Sequence, residues 1–168
     1  FIMAAKTIKL DLVEEMVSNY KNNQLDAILT NKAHPMPFDA QSVWFDLNTL
    51  KAFVNAIEEE AGNHPKYNLK NFGVRFYYTA YPKKALWDKP GYEDLADMLN
   101  DPIAKNYEKL HTVIAIPTAE INGVNQDFDP FDENTYGGNK PSSGQGLAIM
   151  AENHGSLIPP APPSGSWF

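Results

Sequence analysis

Between Leu12 and Tyr20 the apolar positions recur at helical spacing: Leu12, Val13, Met16, Val17 and Tyr20 share one face. Asp11 with Glu14 has capping-box spacing and sets carboxylates at the positive end of that helix. Asn22-Asn23 interrupts the stripe, and Leu25, Ile28 and Leu29 predict one further short helical turn. His34-Pro35-Met36-Pro37 then ends the segment, because proline lacks a donor and constrains the residue before it.

Ser42-Val43-Trp44-Phe45 is a short β-prone run, followed by Asn48 or Thr49 as a helix cap. Leu50, Phe53, Val54, Ile57 and Ala61 lie on one helical face, with Gly62 as the expected stop. A second strand runs from Gly73 to Tyr81, ended by Pro82. Strand, helix and strand at this distance predict a right-handed parallel βαβ crossover. Tyr92 to Asn100 reads as a shorter helix with Tyr92, Leu95, Met98 and Leu99 inward, and a third strand spans His111 to Thr118. Asn122-Gly123 is a tight-turn dipeptide that folds Val124–Phe128 back as a hairpin arm.

After Phe128 the apolar period disappears. Acidic residues give way to glycine and serine, Leu147 to His154 predicts a short helix stopped by Gly155, and four prolines between 159 and 163 favour polyproline II. The expected fold is α+β or α/β: an N-terminal helical segment (1–30), a small mixed sheet with βαβ crossovers (42–128), and a loop-rich wrap with a proline-rich tail (129–168) in a single domain.

The strings VWFDLNTLKAFVNAIEEE, GVRFYYTAYP and HTVIAIPT, between Ser42 and Thr118, resemble a family of small uncharacterised bacterial proteins. The resemblance implies the same order of elements and attaches no activity to any residue.

Composition narrows the function classes. The chain has 168 residues and a net charge of -7, which argues against a binder of nucleic-acid backbones. Without cysteine it has no disulfides, thiol nucleophile, zinc ribbon or iron–sulfur site. No apolar run approaches the roughly 20 residues of a membrane span, so no membrane partner is expected. No signal segment is visible, which makes the cytoplasm the default; a processed or secreted form would read the same. A natural start at Met3 is one reading of the N-terminus.

Arg75 is the single arginine among 14 basic residues, and it lies inside a strand. Alternation puts Arg75, Tyr77, Thr79 and Tyr81 on one face and Val74, Phe76, Tyr78 and Ala80 on the other. A guanidinium among phenols can hold a carboxylate or phosphate bidentately. The structural reading, which carries more weight, is a cation–π or ion-pair contact beneath a helix, with Glu58 or Glu59 as the candidate partners. His111 opens the third strand and is a general-base candidate without an identifiable carboxylate partner. Read structurally, it is a strand-end histidine satisfied by backbone or water.

His34, His64 and His154 are scattered, and no metal-binding histidine motif is present. Asp127, Asp129 and Asp132, with Glu133 and Asn134, have the oxygen chemistry of a calcium loop. They fail the EF-hand template, because Phe131 takes a ligand position and the required glycine is missing, and a solvated acidic loop is the better reading. Gly144-Gln145-Gly146 lacks the third glycine of a dinucleotide fingerprint, and neither a Walker spacing nor a G-x-S-x-G elbow occurs.

The aromatic load is high. Trp44, Phe45, Tyr77, Tyr78, Tyr81, Trp87 and the pair Trp167 and Phe168 exceed what a three-stranded core obviously absorbs, and such residues anchor protein interfaces. The expected function is therefore a non-catalytic binding or assembly protein. It would use aromatic surfaces and associate with protein or with itself through Trp167, Phe168 and the proline-rich tail. The competing expectations are a small enzyme or sensor that holds an anion at Arg75, Tyr77, Tyr81 and His111, and a calcium module.

Overall fold

The structure, a computed structural model, describes residues 7–141, 149–153 and 155–158. It is an α+β fold. The N-terminal segment is one continuous helical arm: α1 (Leu10–Asn19), a π-helical stretch (Tyr20–Leu25) and α2 (Asp26–Leu29). Asn23 lies within the widened stretch. Its side-chain amide donates to the Asn19 carbonyl at 2.7 Å and competes with the backbone ladder. The expected Asp11–Glu14 box does not form, because the helix begins at Leu10 and Asp11 lies in its first turn; Lys9 is the uncapped entry.

β1 (Ser42–Trp44) precedes α3 (Leu47–Gly62), which is capped by Asp46 instead of Asn48 or Thr49. Asp46 Oδ1 accepts from the backbone N–H groups of Asn48 and Thr49 at 2.9 and 3.2 Å. There follow β2 (Lys70–Ala80), β3 (His111–Ile121), β4 (Val124–Asp127) and β5 (Ser156–Ile158). Tyr92 to Asn100 is a 3₁₀ run, Glu93–Leu99, whose Leu95, Met98 and Leu99 still face the core as the apolar spacing predicts.

The βαβ crossovers are corrected by the topology. β2, β3 and β4 form an antiparallel sheet in that order, and β1 pairs antiparallel with β5 in a separate two-stranded sheet. The reason is where the long connection returns. Ala80 is opposite His111, and beyond them Tyr81 N–H bonds Leu110 O while Lys109 N–H bonds Tyr81 O, both at 3.1 Å. The excursion between β2 and β3 therefore leaves and re-enters at the same end of the sheet, which forces antiparallel pairing. Asn122 and Gly123 both take positive φ, 55° and 77°, so the expected tight hairpin turn forms.

Two apolar clusters hold these layers. Phe53, Ile57 and Ala61 of α3 pack on Ala115, Ala119 and Ile121 of β3 with Phe128, Tyr136 and Met150. Ala40, Tyr81, Trp87, Tyr107, Leu110 and Leu157 form the second, at the end of the sheet where β2 leaves and β3 enters. Trp87 is fully buried and donates its indole N–H to the Pro82 carbonyl at 3.0 Å. The expected helix at Leu147–His154 is not present over residues 149–153. There Glu152 pairs instead with Ala115 as an antiparallel bridge, on the same edge of β3 that β4 occupies further along. Gly155 is accordingly no helix stop: a Cβ there would lie 2.9 Å from Phe45 Cζ and against Val43, so it marks close approach to β1.

Candidate functional site

Antiparallel register places Val74, Phe76 and Tyr78 of β2 on one sheet face with Val113, Ala115 and Pro117 of β3. α3 covers the Val74–Ala115 end of that face. Towards the other end, the helical arm and the β1 segment flank it and leave a groove of about 530 Å³. Its walls are Tyr20 and Ile28 from the arm, Val43 and Phe45 from β1 and its exit, and Phe76 and Tyr78 from β2, with His111 among them. Phe76 is half exposed and Tyr78 is 92% exposed. Tyr20's pKa is raised, first by burial and then by the nearby charge of Asp39 and by Tyr78.

His111 has the partner that sequence reading could not place. The side chain of Asp39 is fully buried, and its Oδ2 pairs with His111 Nδ1. Asp39 Oδ1 accepts the backbone N–H groups of His111 and Ala40, each at 2.8 Å. Three donors thus satisfy one desolvated carboxylate, which ties the loop before β1 to the first residue of β3. The imidazole itself is 43% exposed and contributes to the groove wall.

Arg75 and Tyr77 are brought together, but not as an open anion site. On the opposite sheet face Arg75 reaches across β3 to Asp127, and Tyr77 donates its hydroxyl to the same carboxylate. Arg75 also donates to the carbonyl and side-chain oxygens of Asn125, at 3.2 and 3.1 Å. Its partner is Asp127 and not Glu58 or Glu59. These residues line a second groove of about 520 Å³. Tyr81 stands apart from them, buried against Trp87 and Tyr107, and burial pushes its hydroxyl pKa up to about 12. His111 is on the other face, so the four residues proposed to share an anion pocket do not meet.

The acidic loop is internally committed. Asp127 holds Arg75 and Tyr77, Asp129 Oδ1 accepts from Phe131 and Met150 N–H, and Asp132 Oδ1 accepts from Asn134 N–H. Among the described residues no group of three histidine or carboxylate side chains is arranged to hold a metal ion. His64 Nδ1 lies 2.8 Å from Glu133 Oε1, while His34 is exposed in a turn. His154, the Gly144–Gly146 motif, the proline-rich stretch and Trp167-Phe168 lie outside the described residues. Among those described, no helix is long and apolar enough to cross a membrane.

Sequence reading missed Asp39, and it placed Tyr20 and Ile28 on an apolar helical stripe without assigning them to a site. The available signal for Asp39 was a carboxylate between Phe38 and Ala40, an apolar setting that calls for a buried partner. In comparison with known proteins, the chain matches no family model, no curated protein and no solved structure.

Proposed function

We propose that this is a non-catalytic binding protein whose recognition surface is the aromatic groove, and whose ligand is an extended, proline-rich polypeptide segment. The observation that carries the reading is the groove itself. The rings of Tyr20, Phe45, Phe76 and Tyr78 line one depression of about 530 Å³, with few polar groups among them. Aromatic-lined grooves suit polyproline II, which is already extended and so loses little entropy on docking. Five such residues span about 16 Å, a scale that a groove of this size accommodates. Polyproline carbonyls have no internal donors, and the Tyr20 and Tyr78 hydroxyls offer some at the walls.

The chain contains a segment of this chemistry. Prolines 159, 160, 162 and 163 follow directly on β5, whose last carbonyl, Ile158 O, accepts from Gln41 N–H at 2.7 Å beside the groove. A synthetic Ile-Pro-Pro-Ala-Pro-Pro peptide is therefore the probe. Calorimetric titration into the full chain should give saturable binding that Tyr78→Ala weakens at least about tenfold, the scale of one lost aromatic anchor. No binding, or equal binding to both proteins, overturns the reading.

A second reading rests on the Asp39–His111 pair. A histidine oriented at Nδ1 by a buried carboxylate is the arrangement of a general base, and Ser42 lines the same groove. Hydrolysis of an activated ester that is lost in both His111→Ala and Ser42→Ala would support it. Equal rates in all three proteins would exclude it.

A further inference from the structure

We infer that the outer edge of β2 is a self-association surface, on which a second copy of this chain adds its own β2 antiparallel about a two-fold axis at Phe76. The strand shares Phe76 and Tyr78 with the groove, but its edge is tested by oligomeric state alone, a readout separate from peptide binding. β2 is hydrogen-bonded to β3 alone, and among the described residues no backbone group of Lys70–Ala80 bonds to any other segment. The far edge of β3, by contrast, is taken by β4 and by Glu152. An open edge eleven residues long is a template for another strand.

The usual protections are missing from it. Between residues 70 and 80 there is no proline and no carboxylate, and Lys70 lies before the register shift that precedes Gly73. The two exposed rings at its centre, Phe76 and Tyr78, remain in water in the single chain.

The strand fits itself better than it fits an unrelated edge. With the axis at Phe76, Phe76 meets its own copy, and Val74 lies opposite Tyr78 of the second chain. Both are favourable cross-strand pairings, aromatic on aromatic and aromatic on β-branched. On the other face Gly73 would face Thr79, small against small. Arg75 and Tyr77 are drawn away from this edge, across β3 to Asp127. Charge points the same way. Two chains of net charge -7 repel on average, but this strand has no acid and its arginine is already neutralised, so the edges meet without like charges in opposition. The product is a closed six-stranded sheet, β4-β3-β2 continued by the same strands of the second copy, with isologous symmetry.

The chain has no cysteine, so single cysteines report this register cleanly. Opposed residues of an antiparallel pair have Cα atoms about 4.5–5.5 Å apart, within disulfide range. Residues 74 of the two copies would instead be offset by four positions, about 13 Å. The expected result has three parts: sedimentation of wild type as a dimer, dissociation by Tyr78→Lys, and mild oxidation that cross-links Phe76→Cys but not Val74→Cys. A monomer at every accessible concentration overturns the proposal. So does a dimer that Tyr78→Lys leaves intact, or one in which Val74→Cys cross-links as readily as Phe76→Cys.

Discussion

The buried carboxylate of Asp39 holds His111 at two points, the backbone N–H through Oδ1 and the ring Nδ1 through Oδ2. They lie 72 positions apart in the chain, so this contact fixes how the loop before β1 sits on β3 and thereby sets one wall of the groove. Asp39→Ala removes the acceptor of three donors at once, whereas His111→Ala leaves the carboxylate with two backbone partners. Urea unfolding should show a loss of about 2–4 kcal/mol for Asp39→Ala and a distinctly smaller one for His111→Ala. Equal losses would mean that the imidazole, not the backbone, satisfies Asp39.

Arg75 acts as a bracket from β2 to β4. Its pair with Asp127 is part-exposed, so Arg75→Lys should cost only about 1 kcal/mol, seen as a small drop in melting temperature. Because Asp127 already occupies the guanidinium, phosphate and small carboxylates should leave the wild-type melting temperature unchanged. Calcium and chelator should do the same, since Asp127, Asp129 and Asp132 each serve a different partner. A rise with any of these additives would contradict this account of the loop.

Gly155 lies where β5 meets β1, with no room for a methyl group beside Val43 and Phe45. Gly155→Ala should therefore destabilise by about 1–3 kcal/mol through overpacking, and it should perturb the groove that Val43 and Phe45 line. Thermal unfolding and the near-ultraviolet circular dichroism of the aromatic residues would register both effects.

Tyr81 gives the alkaline limb of the stability curve. Its folded pKa is pushed up to about 12 by burial, above the unfolded value near 10, so the folded state keeps a proton that the unfolded chain releases. The contribution is fully present below pH 10 and is lost between about pH 10 and 12, by at most roughly 3 kcal/mol. Tyr136, also raised to about 12, first by burial, adds to the same limb. Tyr81→Phe should flatten the fall; an unchanged slope would contradict the burial argument.

Local patterns announced the elements well and their assembly poorly. The stripe on α3, the aromatic and β-branched runs of β2 and β3, and the Asn122-Gly123 turn are short-range signals, and each element formed where its spacing indicated. Strand direction was not legible, because it depends on where the chain between Tyr81 and Leu110 returns, and that path is built from 3₁₀ turns without a strong period. The site followed the same division. His111 and Arg75 stood out as ionisable side chains at strand positions. Their true partners, Asp39 and Asp127, are 72 and 52 positions away, and only the fold brings them near.

The central claim is that the aromatic groove receives a proline-rich segment, and nuclear magnetic resonance tests it most directly. The Ile-Pro-Pro-Ala-Pro-Pro peptide would be titrated into the isotope-labelled protein while the backbone amides are followed. The account predicts saturable shifts that map to Tyr20, Val43, Phe76, Tyr78 and His111, and that Phe76→Ala with Tyr78→Ala abolishes. Shifts confined to the Arg75–Asp127 face, or none at saturating peptide, would contradict it.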